Sequence, residues 1–156
     1  HRDLHSFPTR RSSDLLRGAE LAAPILRDLR YDEPDVTAIC HCIRSHRFRG
    51  GCLPRSLEAK ILFDADKLDS IGAIGIGRAF LFAGQIGARL HNPEQDPSLT
   101  SAYSLDDTAY REFQVKMSKV REQMLTPVGR DMAEARHAFM EIFFDQLTRE
   151  TRGLVP

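Results

Sequence analysis

Apolar residues recur every three or four positions along most of the chain, which is the period of an α-helix and not of a strand. Useful apolar-polar alternation occurs nowhere, so the sequence predicts an all-α fold. The helical segments expected from the pattern are residues 16–29, 35–46, the region around 54–80, 105–125 and 127–152.

Local capping signals place three of the helix starts. Asp32-Glu33-Pro34 puts acidic residues and a proline in a first turn, which predicts the start of the second helix. Ser104-x-x-Asp107 resembles a capping box and predicts a helix from Leu105. Thr126-Pro127 is typical of an N-cap followed by the first helical residue, and it predicts the start of the final helix.

An acidic run at residues 64–69 holds the most informative polar positions. At about 100° per residue, Asp66 and Asp69 fall on one helical stripe. A carboxylate on a buried stripe needs a cation, a metal or several hydrogen bonds. Asp66 is therefore the leading candidate site residue, with Asp69 beside it; the alternative is a helix with a partly exposed acidic edge. The stripe and its flanks carry apolar residues that are expected to be largely buried: Leu62, Ala73, Ile61, Ala65, Leu68 and Ile71.

Asp64 points nearly opposite to Asp66 on the same predicted helix. Lys60 precedes it by four residues and Lys67 follows it by three, which is the spacing of surface ion pairs. The pattern therefore predicts that Asp64 is solvated.

Two histidines and several arginines precede the acidic run. His41 and His46 are five residues apart, so they converge on one ion only if the helix ends between them. Arg47 and Arg49 follow, and guanidinium groups suit phosphate oxygens. The alternatives are a packed or capping His41, an exposed His46 at a helix end, and solvated arginines.

Composition narrows the class of protein. The chain has 156 residues, 42% of them hydrophobic and 28% charged, and its formal net charge is zero, so nothing supports a nucleic-acid surface. The longest apolar runs are interrupted by arginine, which argues against a membrane span, and a cytoplasmic protein is expected. The three cysteines show neither disulfide spacing nor the spacing of a zinc site.

The run LEAKILFDADKLDSIGAIGIGRAF resembles the last metal-ligand helix of the HD-domain metal-dependent phosphohydrolases, in a subgroup related to nucleotide pyrophosphatases. The resemblance covers about residues 16–153. It implies an HD-domain-like helical bundle that uses a divalent ion (Mn²⁺, Mg²⁺ or another first-row ion) to hydrolyse small phosphate esters, with nucleotides favoured. In that frame Asp66 is a metal ligand and Asp69 orients water or a ligand. His41 and His46 then bind a second ion or phosphate.

The chain departs from that family at its start. An adjacent His-Asp pair, which gives the family its name, is not found in the sequence, and residues 2–15 resemble a translated sequencing adapter. We therefore expect residues 1–15 to be non-native and 16–153 to be the C-terminal part of a bundle incomplete at its N-terminus, with weak or absent catalysis. The alternative is a non-catalytic helical binding module. The sequence leaves the oligomeric state open.

Overall fold

The computed structural model describes residues 12–47 and 51–154, and within those ranges the secondary structure is helical without strands. The expectation of an all-α fold is thus confirmed. None of the helices in the described ranges has the length and apolar content needed to cross a membrane. The α-helices are α1 (Ser12–Asp28), α2 (Glu33–Ser45), α3 (Leu57–Leu68), α4 (Gly72–Gln85), α5 (Ala109–Val115) and α6 (Pro127–Thr151).

The chain divides into two compact units, which are described separately. Unit 1 comprises the described residues 12–47 and 51–66, and unit 2 comprises 67–154. Of the segment expected to be non-native, residues 1–11 lie outside the described ranges. Residues 12–15 form the first turn of α1, and Leu15 is buried.

Unit 1 is built on the packing of α1 against α2. The N-cap of α2 is Asp32, whose carboxylate accepts a hydrogen bond of 3.0 Å from the backbone N–H of Asp35. The predicted start of this helix is therefore confirmed to within two residues. The buried core between α1 and α2 is small. It consists of Ala19, Val36 and Cys40, with the partly buried Ala23, Leu26 and Ile43 packed against it.

Unit 2 has a larger core, to which α4, α5 and α6 all contribute. Its centre is Phe144, which is 2% exposed and lies within ring-stacking distance of Phe80, Tyr110 and Phe113. Edge and stacked ring contacts of this kind add to the free energy gained by burying apolar area. The buried residues of this core are Leu68, Ile71, Ile76, Ala109, Met117, Val120, Met124, Ala133, Met140 and Phe144.

The predicted helix over 105–125 is wrong at its start and in its continuity. Thr108, not Ser104, is the N-cap, and its hydroxyl accepts a hydrogen bond of 3.1 Å from the backbone N–H of Arg111. The α-helix then ends at Val115, and the chain continues as a 3₁₀ segment, Met117–Gln123.

A polar network in the preceding loop explains the late start of α5. The Asp107 carboxylate accepts from the backbone N–H of Tyr103 at 2.7 Å and from Arg111 at 2.9 Å. The Arg111 guanidinium also donates to the carbonyl of Thr100 at 3.0 Å. The Asp107 carboxylate therefore binds the loop, and Asp107 lies ahead of α5 and not within a helix that starts at Leu105. Because Asp107 and the Arg111 side chain are largely buried, these bonds are shielded from water.

Candidate functional site

Helix α3 carries the acidic run, and its buried face differs from the predicted one. Ala59 and Phe63 point inward at 0% and 2% exposure, whereas Ile61 and Leu62 are 53% and 42% exposed. Phe63 supplies the largest apolar surface in the first two turns, so it sets which side of the helix is buried. Leu68 and Ile71 are buried as predicted, but Ala65 is exposed.

The prediction that Asp64 is solvated is wrong. Asp64 is 3% exposed, because it directly follows the inward-facing Phe63 and shares the buried side of the helix with Leu68, one turn further on. Lys60 and Lys67 stand at the spacing of surface ion pairs with Asp64. That spacing, however, does not determine which face of the helix packs against the rest of the protein.

Asp66 is half-buried and has a cation next to it. Its Oδ1 atom lies 3.6 Å from Nη2 of Arg47, and both side chains are about a third exposed, at 30% and 32%. The Nε atom of Arg47 is itself buried and has no hydrogen-bond partner among the described groups. Unit 1 therefore pairs the predicted metal-ligand carboxylate with the predicted phosphate-binding guanidinium.

Asp69 does not continue the stripe of Asp66, because α3 ends at Leu68. The chain turns through a Ser70 N–H to Lys67 carbonyl bond of 3.0 Å, and Gly72 adopts a φ of +73° that favours glycine. Arg136 donates to the carbonyl of Leu68 at the end of α3. In unit 2 the Asp69 carboxylate is exposed and pairs with Arg78. Its catalytic role stays a prediction.

His41 is used to hold the loop that leads into α3. Its Nε2 atom accepts a hydrogen bond of 3.1 Å from the backbone N–H of Arg55, and its Nδ1 atom lies 3.9 Å from Sγ of Cys52. A backbone N–H only donates, so Nε2 is the unprotonated nitrogen. Metal binding through Nε2 would require the loop to release this bond.

His46 is better placed to offer a free nitrogen. It forms the C-cap of α2, and its Nδ1 atom lies 2.8 Å from the carbonyl of Ile43. A carbonyl only accepts, so Nδ1 carries the proton and the lone pair of a neutral ring is at Nε2. This is the tautomer that metal-binding histidines commonly adopt.

Across the described ranges, no group of three or more His, Cys, Asp and Glu side chains is arranged to hold a metal ion. His41, His46 and Asp66 are therefore not gathered into one ion site, and Arg49 lies outside the described residues. Within the part of the chain that the structure describes, the side chains do not by themselves fit a divalent ion.

The start of α3 has a capping signal that the sequence prediction missed. The hydroxyl of Ser56 accepts from the backbone N–H of Ala59 at 3.2 Å, which caps α3 just ahead of Leu57. Nearby, burial raises the pKa of the Cys42 thiol, with a further contribution from Glu58. Cys42 therefore remains a thiol at neutral pH.

The fold is an all-α, HD-domain-like helical bundle. A solved HD-superfamily hydrolase from Bacillus thuringiensis superposes on it with a TM-score of 0.71 and 30% identity, over 86% of this chain and 63% of that one. No protein-family model matches the chain.

Two comparisons concern YpgQ of Bacillus subtilis. YpgQ, which is described as an uncharacterized protein, is 41% identical to this chain over 101 residues. These residues are 65% of this chain and 43% of YpgQ. The crystal structure of YpgQ in complex with ADP superposes with a TM-score of 0.63 and 32% identity, over 85% of this chain and 61% of that one. The chain thus spans less than half the length of this curated relative and less than two thirds of these solved structures.

Proposed function

We propose that this chain is part of a cytoplasmic, metal-dependent phosphohydrolase of the HD type that acts on small phosphate esters. The observation that carries the proposal is the half-buried pair of Asp66 and Arg47, whose charged groups approach to 3.6 Å. A carboxylate suits a hard divalent ion and a guanidinium suits phosphate oxygens. Similarity to an HD-superfamily hydrolase supports the assignment of this pair to such a site.

Each candidate residue has a role in the proposal. Asp66 would face the ion, and Arg47, whose side chain is 32% exposed, would donate to phosphate through its guanidinium group. His46 offers Nε2 to an ion or to phosphate. The remaining roles are those that the sequence and the family resemblance imply: a metal or phosphate contact for His41, a phosphate contact for Arg49, and the orientation of water or a ligand for Asp69.

The residues present require additional ligands to make the site complete. The family resemblance assigns those ligands to a histidine and an adjacent His-Asp pair, and the sequence contains no such pair. We therefore propose that the active protein is longer than this chain, and that this chain by itself turns over substrate weakly or not at all. Sequencing the genomic locus across the junction of Leu15 and Leu16 tests whether the reading frame continues into those ligands.

Nucleotides are the substrates that we favour. YpgQ has been crystallised in complex with ADP, and its similarity to this chain covers most of both units. For this chain we propose nucleoside di- or triphosphates, in which the phosphate oxygens would take the place beside Arg47. The activity of the longer protein would be measured as the release of phosphate or pyrophosphate from a panel of nucleotides in the presence of Mn²⁺, Mg²⁺ or Co²⁺.

The matched variants are Asp66→Asn and Asp28→Asn, both made in the longer protein. Loss of a metal-ligand carboxylate should lower turnover by at least about 100-fold. Asp28 is an exposed carboxylate at the end of α1 in the same unit, so its variant should retain activity. Equal activity of the two variants would contradict the role of Asp66.

The alternative function, a non-catalytic helical binding module, is favoured by one observation. The Nε2 atom of His41 accepts a hydrogen bond of 3.1 Å from the backbone N–H of Arg55, so this nitrogen is not offered to an ion while the loop keeps that bond. Calorimetric titration with ADP distinguishes the two functions. A binding module should bind with or without divalent ions and leave the nucleotide intact, whereas the hydrolase should require the ion.

A further inference from the structure

The turn between α3 and α4, residues 68–72, combines a buried backbone with an exposed carboxylate. Leu68, Ile71 and Gly72 are buried, whereas the side chain of Asp69 is 60% exposed. The buried residues fix the main chain from which the Asp69 side chain leaves. We call residues 68–72 the Asp69 turn.

Arg136 of α6 lies across the Asp69 turn, and its aliphatic stem packs on Gly72. A Cβ atom at position 72 would lie 2.9 Å from Cγ of Arg136, which is closer than carbon atoms come in ordinary contact. The φ of Gly72 is +73°, a conformation that also favours glycine. Position 72 therefore accommodates the arginine stem only because it carries no side chain.

The guanidinium group of Arg136 binds the peptide that joins Leu68 to Asp69. Its Nη1 atom donates to the carbonyl of Leu68, which also accepts from the backbone N–H of Ile71 at 3.3 Å. The last carbonyls of a helix lack donors within the helix, and a cation placed there also meets the negative end of the helix dipole. Because a peptide group is planar, holding this carbonyl sets the direction in which the chain enters Asp69.

A second arginine, Arg78, contacts Asp69 from α4. Its Nη1 atom donates to the carbonyl of Asp69 at 3.2 Å and pairs with the carboxylate. Both side chains are about 60% exposed, so water screens this pair and it stabilises the turn little. The bond from Arg136 is partly buried and joins residues 68 positions apart. Of the two arginines, Arg136 is therefore the one that fixes the backbone.

We propose that Arg136 is a positioning residue for Asp69. It holds the Leu68–Asp69 peptide from α6, so that the Asp69 carboxylate keeps one direction while it stays open to water. The inference rests on the proposed function, in which Asp69 orients water or a ligand and Arg136 touches neither. Because a displacement of about 1 Å in a reacting group can lower the rate about 100-fold, Arg136 acts on kcat.

Hydrogen exchange in this chain tests the structural step without any activity. Arg136→Met keeps the stem on Gly72 and removes the donors, so the amides of Ser70 and Ile71 should exchange at least about 10-fold faster. Arg130→Met is the matched control, because Arg130 donates from the same helix to a different carbonyl, that of Met124, at 3.4 Å. It should leave those two amides unchanged. Unchanged exchange in Arg136→Met would overturn the proposal.

Kinetics of the longer protein test the functional step. Arg136→Met should lower kcat at least about 10-fold and leave KM within about 2-fold of the wild type, since the lost bond orients Asp69 and does not contact the nucleotide. One nitrogen of Arg136 binds the Leu68 carbonyl, so Arg136→Lys, which keeps the stem and one donor, should recover kcat to within about 3-fold of the wild type. Arg130→Met should keep the wild-type kcat.

A double-variant cycle shows whether Arg136 acts through Asp69. If it does, Arg136→Met combined with Asp69→Asn should have a kcat within about 2-fold of Asp69→Asn alone. Losses that multiply in the double variant would overturn the proposal, as would equal losses in Arg130→Met and Arg136→Met. A longer protein that hydrolyses no nucleotide would overturn the proposed function itself. The exchange rates would then still decide separately whether Arg136 holds the Asp69 turn.

Discussion

Unit 1 and unit 2 differ in the size of the core that each contains. Among the described residues, the core of unit 1 between α1 and α2 has three buried members, and the unit carries His41, His46, Arg47 and Asp66. The core of unit 2 has ten buried members and a set of stacked rings around Phe144. Most of the candidate chemistry is therefore attached to the smaller core, whereas most of the apolar stabilisation belongs to the larger one.

A candidate site thus does not have to lie where packing is densest. The polar groups of unit 1 are held by specific bonds, such as that from the Arg55 N–H to His41, and not by extensive apolar burial. Regions with few buried apolar contacts open at lower free-energy cost than large cores. Substitutions in the two units should accordingly differ in both size and range of effect.

The largest loss of stability should come from Phe144→Ala. Phe144 is 2% exposed in the centre of the ring cluster, and removing a buried Phe side chain from a packed core costs about 3–5 kcal/mol. Urea unfolding followed by circular dichroism measures the loss. Leu81→Ala on α4 is the control, since Leu81 is 65% exposed, and it should change stability by about 0.5 kcal/mol or less. Similar losses in the two variants would contradict the assignment of the core.

The next largest effect should come from Arg111→Ala. This change leaves the buried Asp107 carboxylate without its guanidinium partner, which should cost about 2–4 kcal/mol. Lys116→Ala breaks an exposed pair with Glu112 and should cost about 0.5 kcal/mol or less. Urea midpoints of both variants provide the test. A small effect of Arg111→Ala would show that the loop network is solvated.

Val36→Ala tests the smaller core directly. Val36 is 2% exposed between α1 and α2, and its truncation should cost about 1–2 kcal/mol. Hydrogen exchange resolves where the loss occurs: amides of α1 and α2 should exchange faster, while those of α6 keep their wild-type rates. Equal acceleration in α6 would show that the two units open together, so that their cores would not differ in opening free energy.

The smallest expected effect is a pH dependence in unit 2. The Thr148 hydroxyl donates to the carbonyl of Phe144 at 2.7 Å, so it accepts from His91, whose Nε2 atom is 2.8 Å away. The Nδ1 atom is buried without a partner among the described groups. Burial, and to a lesser degree the charge of Arg152, lowers the pKa of His91.

The sign of the effect follows from this lowered pKa. The unfolded chain binds a proton near pH 6.5, before the folded protein does, so stability is present above that pH and falls as the pH drops through it. Urea midpoints should decrease from about pH 7.5 to about pH 5.5, and less so in His91→Gln. An identical decrease in that variant would assign the pH dependence to other groups.

Sequence-based prediction performed best where the physics is local. Thr126 caps α6 as predicted, and α2 starts within two residues of its predicted position with Asp32 as its N-cap, because an N-cap bond joins residues only three positions apart. The end of α3 at Leu68 and the late start of α5 at Ala109 were missed. The first depends on a group brought from far along the chain, Arg136 at the carbonyl of Leu68, and the second on the loop network of Arg111 and Asp107.

The helical character of this protein is encoded locally, because the 3.6-residue period and the capping residues act within single turns. The acidic run is likewise sufficient, as a string of residues, to carry the resemblance to the HD-domain proteins. Long-range packing, in contrast, is what buries Asp64, places Asp66 next to Arg47 and ties the imidazole of His41 to the backbone of Arg55. The reason is that one helical pattern is compatible with several rotations about the helix axis, and the choice among them depends on what packs against each face.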